Sequence, residues 1–543
     1  MTEPQAGAAA PVSTAAALPT SCDVLVVGGG INGAGIARDL AGRGLKVLLA
    51  ERDDLARHTS SSSTKLIHGG LRYLEYYEFN LVRKALAERE LLLKSAPHIM
   101  WPLRFVMPHD PSMRPVWMIR AGLFLYDHLA RREWLPGSST VNLRQHPTGT
   151  PLKPGFQRGF VYSDGWVDDA RLVVLNALDA QARGATVLTR CTVLAAQRQG
   201  SGWQATLQPE GAAPQQVQAR ALVNAAGPWA GEFLRDRARQ ASARSLRLVK
   251  GSHIVVPKMF EHDHAYIFQN PDRRIIFAIP YEGAFTLIGT TDVEIQGDPG
   301  SAQIDGDETA YLCEQASRYF AKPVRPADVV WSYAGVRPLL DDDSGDAAAV
   351  TRDYLLEFDG EAAGGSAPLL TVWGGKITTF RKLAEEAADE LVRRLGGPAG
   401  SQRAWTRQAL LPGGDLSAWI GAAQRPDADI ARFIAALAQR HPQLPAAVRA
   451  RWARAYGSRV SLLLADGAAP GAEVAPGLFE CELRYLHAHE WARCADDVLW
   501  RRSKLGLHLS APQREAVAQW WALNHPSTPT QPAPAPRQET SWN

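Results

Sequence analysis

A wholly apolar run near the start, Val24-Leu25-Val26-Val27, passes directly into Gly28-Gly29-Gly30-Ile31-Asn32-Gly33. A short β-branched run without polar alternation reads as a strand buried on both faces. Beyond the glycines, Ile36, Ala37, Leu40 and Ala41 recur at helical spacing, and Gly44 is placed to end that helix in the left-handed conformation. Residues 45–50 give a second apolar strand, which ends on Glu51, 18 residues beyond Gly33. Each part of this βαβ unit has a physical task. Gly28 permits the tight turn, Gly30 lets backbone approach a pyrophosphate, and Gly33 allows close packing of helix on strand. The helix start offers N–H groups and a positive dipole end to phosphates. Glu51 is placed to accept hydrogen bonds from a ribose diol and to disfavour a 2′-phosphate. FAD and NAD share this fingerprint, so the glycines alone leave the cofactor open.

The rest of the chain has the same grain up to about residue 400. Asp168 and Asp169 are placed to cap a helix running to Ala182, Gly184 ends it, and residues 186–188 begin a strand. Residues 221–224 read as a buried strand running into Ala225-Ala226-Gly227, with a hairpin excursion over 199–215 before it. From Gly251 to Asp292 the pattern changes to alternation, as at Ile275, Phe277 and Ile279, which predicts an antiparallel sheet facing the nucleotide domain. The fold expected is α/β: a Rossmann-like dinucleotide-binding domain over 22–398, interleaved with an antiparallel-sheet domain (about 100–160 and 246–345); the resemblance carried by the motifs below makes the first FAD-binding and the second a substrate domain. An all-helical C-terminal domain follows over 400–525. Residues 1–20 lack the basic start and continuous apolar core of a secretory signal and are expected to be a disordered tail, as are 526–543.

Composition narrows the function mainly by exclusion. With 59 Lys+Arg against 56 Asp+Glu, the formal charge of +3 gives no argument for nucleic acid. The five cysteines, Cys22, Cys191, Cys313, Cys481 and Cys494, form no CxxC pair, so free thiols and no metal site are expected. No run of 18 apolar residues suggests a spanning helix. The run Thr59-Ser60-Ser61-Ser62-Ser63-Thr64 leads into an apolar, glycine-rich segment, Lys65 to Tyr73, where a flexible linker would stay polar. Hydroxyls so close to the first βα turn suit a loop that wraps phosphate and flavin. Gly374-Gly375-Lys376-Ile377-Thr378, ahead of a helix from Thr379, forms a second backbone anion site.

With these stretches in view, the sequence resembles FAD-dependent glycerol-3-phosphate dehydrogenase, a membrane-associated respiratory family within the D-amino-acid-oxidase-like flavoproteins. The likeness runs from about residue 20 to 510. Its blocks are VVGGGINGAGIARDLAGRG, SSSTKLIHGGLRYLEYYEF (61–79), KGSHIVV (250–256), AGVRPL (334–339), TRDY (351–354), VWGGKITTFRKLAE (372–385) and DDVLWRRSKLG (496–506). The resemblance implies non-covalent FAD, held by Gly28, Gly30, Asn32, Gly33, Glu51, Ser61, Ser63, Leu66, His68, Gly69, Gly70, Ala226, Gly227, Gly374, Gly375, Lys376, Ile377 and Thr378. It implies sn-glycerol 3-phosphate as substrate, bound by Arg72, Tyr73, His253, Arg337, Arg352 and Lys376. Hydride leaves C2 for flavin N5, with His253, Arg337 and Lys376 as the catalytic set and His253 favoured as base.

Simpler readings stand beside these. Arg72 and Tyr73 could cover a loop, His253 could end a strand, and Arg352 could belong to a surface pair. The resemblance further implies electron transfer to a membrane quinone, peripheral attachment to an anionic membrane on the cytoplasmic face of the inner membrane, and a homodimer by family habit. A glycerophosphate oxidase using oxygen, or an amine or amino-acid oxidase, are the alternatives. Residues 112–135 mix Trp117, Met118, Ile119, Leu123, Phe124, Leu125 and Trp134 with Arg114, Arg120, Arg131 and Arg132. This segment fits either a membrane-surface helix or a core helix capped by charges. The Arg501-Arg502-Ser503-Lys504 run reads as a solvated or interdomain helix face rather than a nucleic-acid contact.

Overall fold

The computed structural model describes residues 18–110, 114–272, 274–341, 353–359, 366–398, 400–464 and 469–525. Most of the two expected tails, and Arg352, lie outside the described residues.

The opening βαβ unit forms as its pattern requires. Strand Ser21–Val27 sits at the centre of an eight-stranded sheet, parallel to Val47–Ala50 on one side and to Gln215–Asn224 on the other. Thr186–Leu188 and Leu369–Trp373 extend the parallel run outward, and the antiparallel strand Leu355–Asp359 closes one edge. The hairpin expected before Gln215 is present, as Cys191–Gln199 and Gly202–Pro209. Helix Ile31–Gly42 is covered by two others, Asp169–Ala182 and Phe380–Leu395, in one apolar core containing Val26, Ala37, Leu40, Val173, Leu383 and Leu391. Asp168 caps the second of these helices by accepting a hydrogen bond from Arg171 N at 3.1 Å.

The second sheet has ten strands and is antiparallel except where Ala265–Gln269 runs parallel to Met100–His109. Its long members are Met100–His109, Arg158–Val167, Leu246–Pro257 and Trp331–Leu340. It reaches further than the expected bounds of 100–160 and 246–345. Arg158–Val167 runs past residue 160, and Leu66–Ile67 joins as an edge strand, so the hydroxyl-rich loop is stitched to this sheet directly. Along Ile275–Tyr281 the alternation has a clear purpose: Ile276 and Ala278 are fully buried in the core, while Ile275 and Phe277 face a cavity.

The C-terminal domain packs helices Pro426–Arg440, Ala446–Tyr456, Glu480–His489 and Ala511–Asn524 around Phe433, Trp452, Tyr456, Leu483 and Val517. It is helical but not wholly so. Glu473–Ala475 and Leu478–Phe479 form a small antiparallel ribbon, turned at Gly477 in the left-handed conformation. The domain is joined to the first one by buried ions. Arg502 makes two hydrogen bonds of 2.8 Å to the carboxylate of Asp54, Arg501 Nε adds one at 2.6 Å, and Arg171 pairs with Glu490. The Arg501-Arg502 run is therefore an interdomain contact.

Candidate active site

Two cavities lie end to end between the sheets, and among the residues lining them only Thr59 belongs to both. The first, about 910 Å³ with its mouth, is lined by Gly28, Gly30, Glu51, Arg52, His58, Cys191, Ala226, Gly227 and Trp229. The second, about 1610 Å³, is lined by Leu66, His68, Gly70, Arg72, Tyr73, His253, Asp292, Arg337 and residues 374–378.

The turn at the first cavity leaves no room for side chains. Gly28 has φ +108°, and a Cβ there would meet Ala225 O at 2.4 Å; at Gly33 it would meet Gly28 O at 1.9 Å. The start of helix Ile31–Gly42 has no side-chain cap of its own at Gly30, although Ser60 Oγ accepts from Ile31 N at 3.0 Å. Glu51 lines the cavity, but its oxygens also accept from Gly29 N at 2.6 Å and Asp53 N at 2.8 Å. Burial pushes its carboxyl pKa up, against these two N–H groups. The side chain thus fastens the glycine turn as well as facing the ligand space. Arg52 stacks over Trp229 at 4.0 Å, and Trp229 Nε1 donates to Asp298 Oδ1 at 3.1 Å, so a loop of the second sheet's domain closes this end.

The second glycine element forms the floor of the other cavity. Gly374 and Gly375 have φ of +71° and +100° and lead into helix Phe380–Leu395. Asn32 bridges the two glycine turns, because its Nδ2 donates to Gly374 O at 3.2 Å while its buried Oδ1 has no partner among the described residues. Thr378 Oγ1 accepts from His68 N at 3.3 Å. An extended cleft with a helix N-terminus at each half, and a buried acceptor unsatisfied at the joint, fits a dinucleotide lying across both cavities.

Not every expected contact faces the cleft. Gly33 lies behind the turn. Ser61 lines neither cavity, and its hydroxyl donates to His58 O at 3.3 Å. Ser63 lines the second cavity, while its hydroxyl donates to Asp169 at 2.7 Å. Gly69 N donates to Tyr126 Oη at 2.9 Å behind the wall. Thr59, Ser60 and Thr64, members of the hydroxyl run not named individually as contacts, line the cavities, as do Thr290 and Asp292, which the sequence did not single out. The hydroxyl run marked the loop, but the loop enters and leaves through Ala56 and Lys65 at φ of +61° and +63°, which no glycine advertises.

The cations and the imidazole converge on the second cavity. Arg337 is ion-paired with Asp292 and donates to Thr290 Oγ1 at 2.8 Å; only a glycine at 251 leaves its guanidinium room, since a Cβ there would lie 2.2 Å from Nη2. Lys376 Nζ sits 3.8 Å from the centre of the Tyr73 ring, and Arg72 Nη2 donates to Tyr76 Oη at 3.3 Å. His253 is 1% exposed, stacks on Tyr333 with ring centres 4.7 Å apart, and has Nε2 3.0 Å from Thr64 Oγ1. Burial, then the charges of Arg337 and Lys65, hold its pKa well below the usual histidine range, so the ring is neutral at physiological pH. The arrangement offers positive charge for an anionic ligand beside an uncharged proton acceptor. Among the described residues, no group of three His, Cys, Asp or Glu is placed to hold a metal ion.

Comparison with known proteins agrees with this geometry. The family profile described as FAD dependent oxidoreductase matches residues 23–381, and the C-terminal domain of alpha-glycerophosphate oxidase matches 404–523. A glycerol-3-phosphate dehydrogenase of Pseudomonas aeruginosa is 52% identical, over 93% of this chain and 96% of its own. A D-erythritol 1-phosphate dehydrogenase of Brucella abortus is 49% identical, over 93% and 98%. The solved structure of glycerol-3-phosphate dehydrogenase from Bacillus halodurans, complexed with FAD, superposes with a TM-score of 0.73 at 28% identity, over 93% of this chain and 90% of that one. The chain belongs to the FAD-dependent oxidoreductase family, as a flavoenzyme of the glycerol-3-phosphate dehydrogenase type.

Proposed function

We propose that this enzyme oxidises sn-glycerol 3-phosphate to dihydroxyacetone phosphate and passes the electrons to a membrane quinone. The observation that carries the reading is the set of Arg72, Arg337 and Lys376 around one cavity with a neutral, buried His253. Arginines give planar, bidentate contacts to a phosphate dianion, and a lysine gives a compact movable charge. Bound FAD supplies the acceptor for the hydride from C2. The chain's own residues do the rest. Arg72 and Lys376, with the neighbouring Tyr73, hold the phosphate near the mouth. Arg337, fixed by Asp292 and Thr290, stabilises the C2 oxygen as it loses its proton, and His253 receives that proton.

The surface beside the mouth supports membrane delivery of the electrons. Helix Val116–His128 buries Leu123 and Tyr126 yet leaves Trp117 69% and Phe124 63% exposed. Tyr76, Tyr77 and Phe79 are exposed on the adjoining segment, and Arg114 of the helix approach pairs with Glu75. That face suits a peripheral site on anionic lipid at the cytoplasmic face of the inner membrane. No helix among the described residues is long and apolar enough to cross a membrane.

Anaerobic addition of glycerol 3-phosphate to the holoenzyme is expected to bleach the oxidised flavin, and quinone reduction to outpace oxygen uptake. Absence of bleaching would refute the substrate; dominant peroxide formation would refute the acceptor. The identity to a D-erythritol 1-phosphate dehydrogenase gives a second reading, a four-carbon polyol phosphate as substrate. A larger kcat/KM for that compound than for glycerol 3-phosphate would establish it.

A further inference from the structure

We propose that Thr64 is a catalytic residue that relays the substrate's hydroxyl proton to His253. This rests on the reading of His253 as the base and deepens it. His253 lines the cavity, yet its ring is held in place with Nε2 turned to Thr64 Oγ1. One face of its ring lies on Tyr333, and the far side is closed by the Gly289 backbone, where even a Cβ would come within 2.1 Å of the imidazole. Its Nε2 lies 3.0 Å from Thr64 Oγ1, and Thr64 also lines the cavity. The hydroxyl therefore stands where a proton bound for Nε2 can be handed over.

The residues on either side of Thr64 are fixed to the same framework that holds the imidazole. Ser63 N and Oγ donate to Asp169 at 3.2 and 2.7 Å, and Lys65 Nζ donates to Asp169 at 2.8 Å. Tyr333, which stacks on His253, donates its hydroxyl to Ser63 O at 2.7 Å. Tyrosine and loop thus set the Thr64–His253 geometry together. A threonine packed as filler would not need both neighbours pinned to a fully buried ion pair.

The step balances without a further reactant. The O–H bond at C2 breaks and its proton goes to Thr64 Oγ1, while the original Thr64 hydroxyl proton passes to His253 Nε2. The threonine is regenerated and the imidazole becomes imidazolium. The C2 oxygen, now anionic beside Arg337, forms the carbonyl as C2 gives up hydrogen with its electron pair to the flavin. The relay requires Nε2 unprotonated in the resting holoenzyme, with the ring proton on Nδ1, so that Thr64 is the donor.

The test uses FAD-loaded Thr64→Val and Thr64→Ser beside His253→Ala. Thr64→Val should slow stopped-flow flavin reduction by about 100-fold, with substrate Kd and the pH for half-maximal reduction reported separately. Substrate Kd should stay within about twofold, and Thr64→Ser should recover most of the rate because it keeps the hydroxyl. A Thr64→Val enzyme as fast as wild type, with His253→Ala slow, overturns the relay and leaves the base in place. Both variants fast would overturn the base reading as well. Nitrogen-15 spectra of the wild-type holoenzyme give a readout independent of any variant: an Nε2-protonated resting tautomer overturns the proposal, and an Nδ1-protonated one supports it.

Discussion

Residues 51–58 and 70–79 lie close together in the chain, line the first and the second cavity of one cleft, and are held by opposite means. In the first, Asp54 and Leu55 are fully buried; Leu55 packs against the glycine turn and Asp54 is clamped by Arg501 and Arg502 from the C-terminal domain. In the second, Tyr77 is 79% exposed, Arg72 reaches the Tyr76 ring and its hydroxyl by one long hydrogen bond, and Lys376 lies over the Tyr73 ring. The difference follows what each end must do. A resident cofactor gains from a wall organised before it arrives, because no ordering is then charged against its binding. Substrate and product pass the other end in every turnover, and a wall held by weak, half-exposed contacts can open and close cheaply.

The contrast breaks most readily at Arg502. Arg502→Met leaves a buried carboxylate short of its bidentate partner, for which about 3–5 kcal/mol is expected. Urea unfolding of the holoenzyme measures that loss, and FAD release followed by fluorescence should quicken in parallel. Adding Asp54→Asn should recover part of it, since the unpaired charge is then gone. A loss below about 1 kcal/mol would show that the clamp is no firmer than a surface pair.

The same contrast decides what could be read beforehand. The glycine turn, its helix and Glu51 were legible because sterics and backbone hydrogen bonds restrict those positions to a few residue types. The alternation at 275–279 announced the antiparallel sheet for a similar reason. Ser61 and Ser63, by contrast, were expected at the cofactor, yet Ser61 lines neither cavity and Ser63 gives its hydroxyl to Asp169. The loop that carries the run has positive φ at Ala56 and Lys65, and its far half is tied by bonds from Tyr333 to Ser63 O and from Lys65 to Asp169, partners far along the chain. Asp292, the partner of Arg337, has no local signal at all; the second sheet brings it there. The ribbon at 473–479 was too short to show a period of two.

On the rigid side, pH provides a further test. His98 is fully buried beside Arg171, Arg454 and Arg459; burial first, then these charges, depress its pKa to about 3. Below pH 6.5 the unfolded chain takes up a proton there that the folded one cannot, so stability falls as pH falls. Near pH 5 the slope approaches about 1.4 kcal/mol per pH unit, or roughly 2 kcal/mol between pH 6.5 and 5. Denaturant titrations at the two pH values should show it, and His98→Phe should flatten it. On the adaptable side, Arg72→Ala should raise KM about tenfold, equivalent to about 1.4 kcal/mol. Its unfolding free energy should move by less than about 0.5 kcal/mol. A KM unchanged by that substitution would take Arg72 out of the phosphate site.

The smallest effect on the fold is expected at the exposed helix beside the mouth, and there the contrast becomes sharpest. Trp117→Glu with Phe124→Glu replaces two side chains that are more than half exposed, so stability should shift by no more than about 0.5 kcal/mol. Flavin reduction by substrate in detergent-free solution should be unaffected, because neither residue is among those lining the two cavities of the cleft. Flotation with anionic vesicles should nevertheless fail, and quinone reduction in those vesicles should fall with it. The helix is fastened to the wall of the substrate site, since Tyr126 donates to Asp164 and accepts from Gly69 N, so failed docking cannot be ascribed to a loosened helix if flavin reduction holds. Vesicle binding that survives both glutamates would move the membrane face elsewhere and leave these aromatics as ordinary exposed apolar residues.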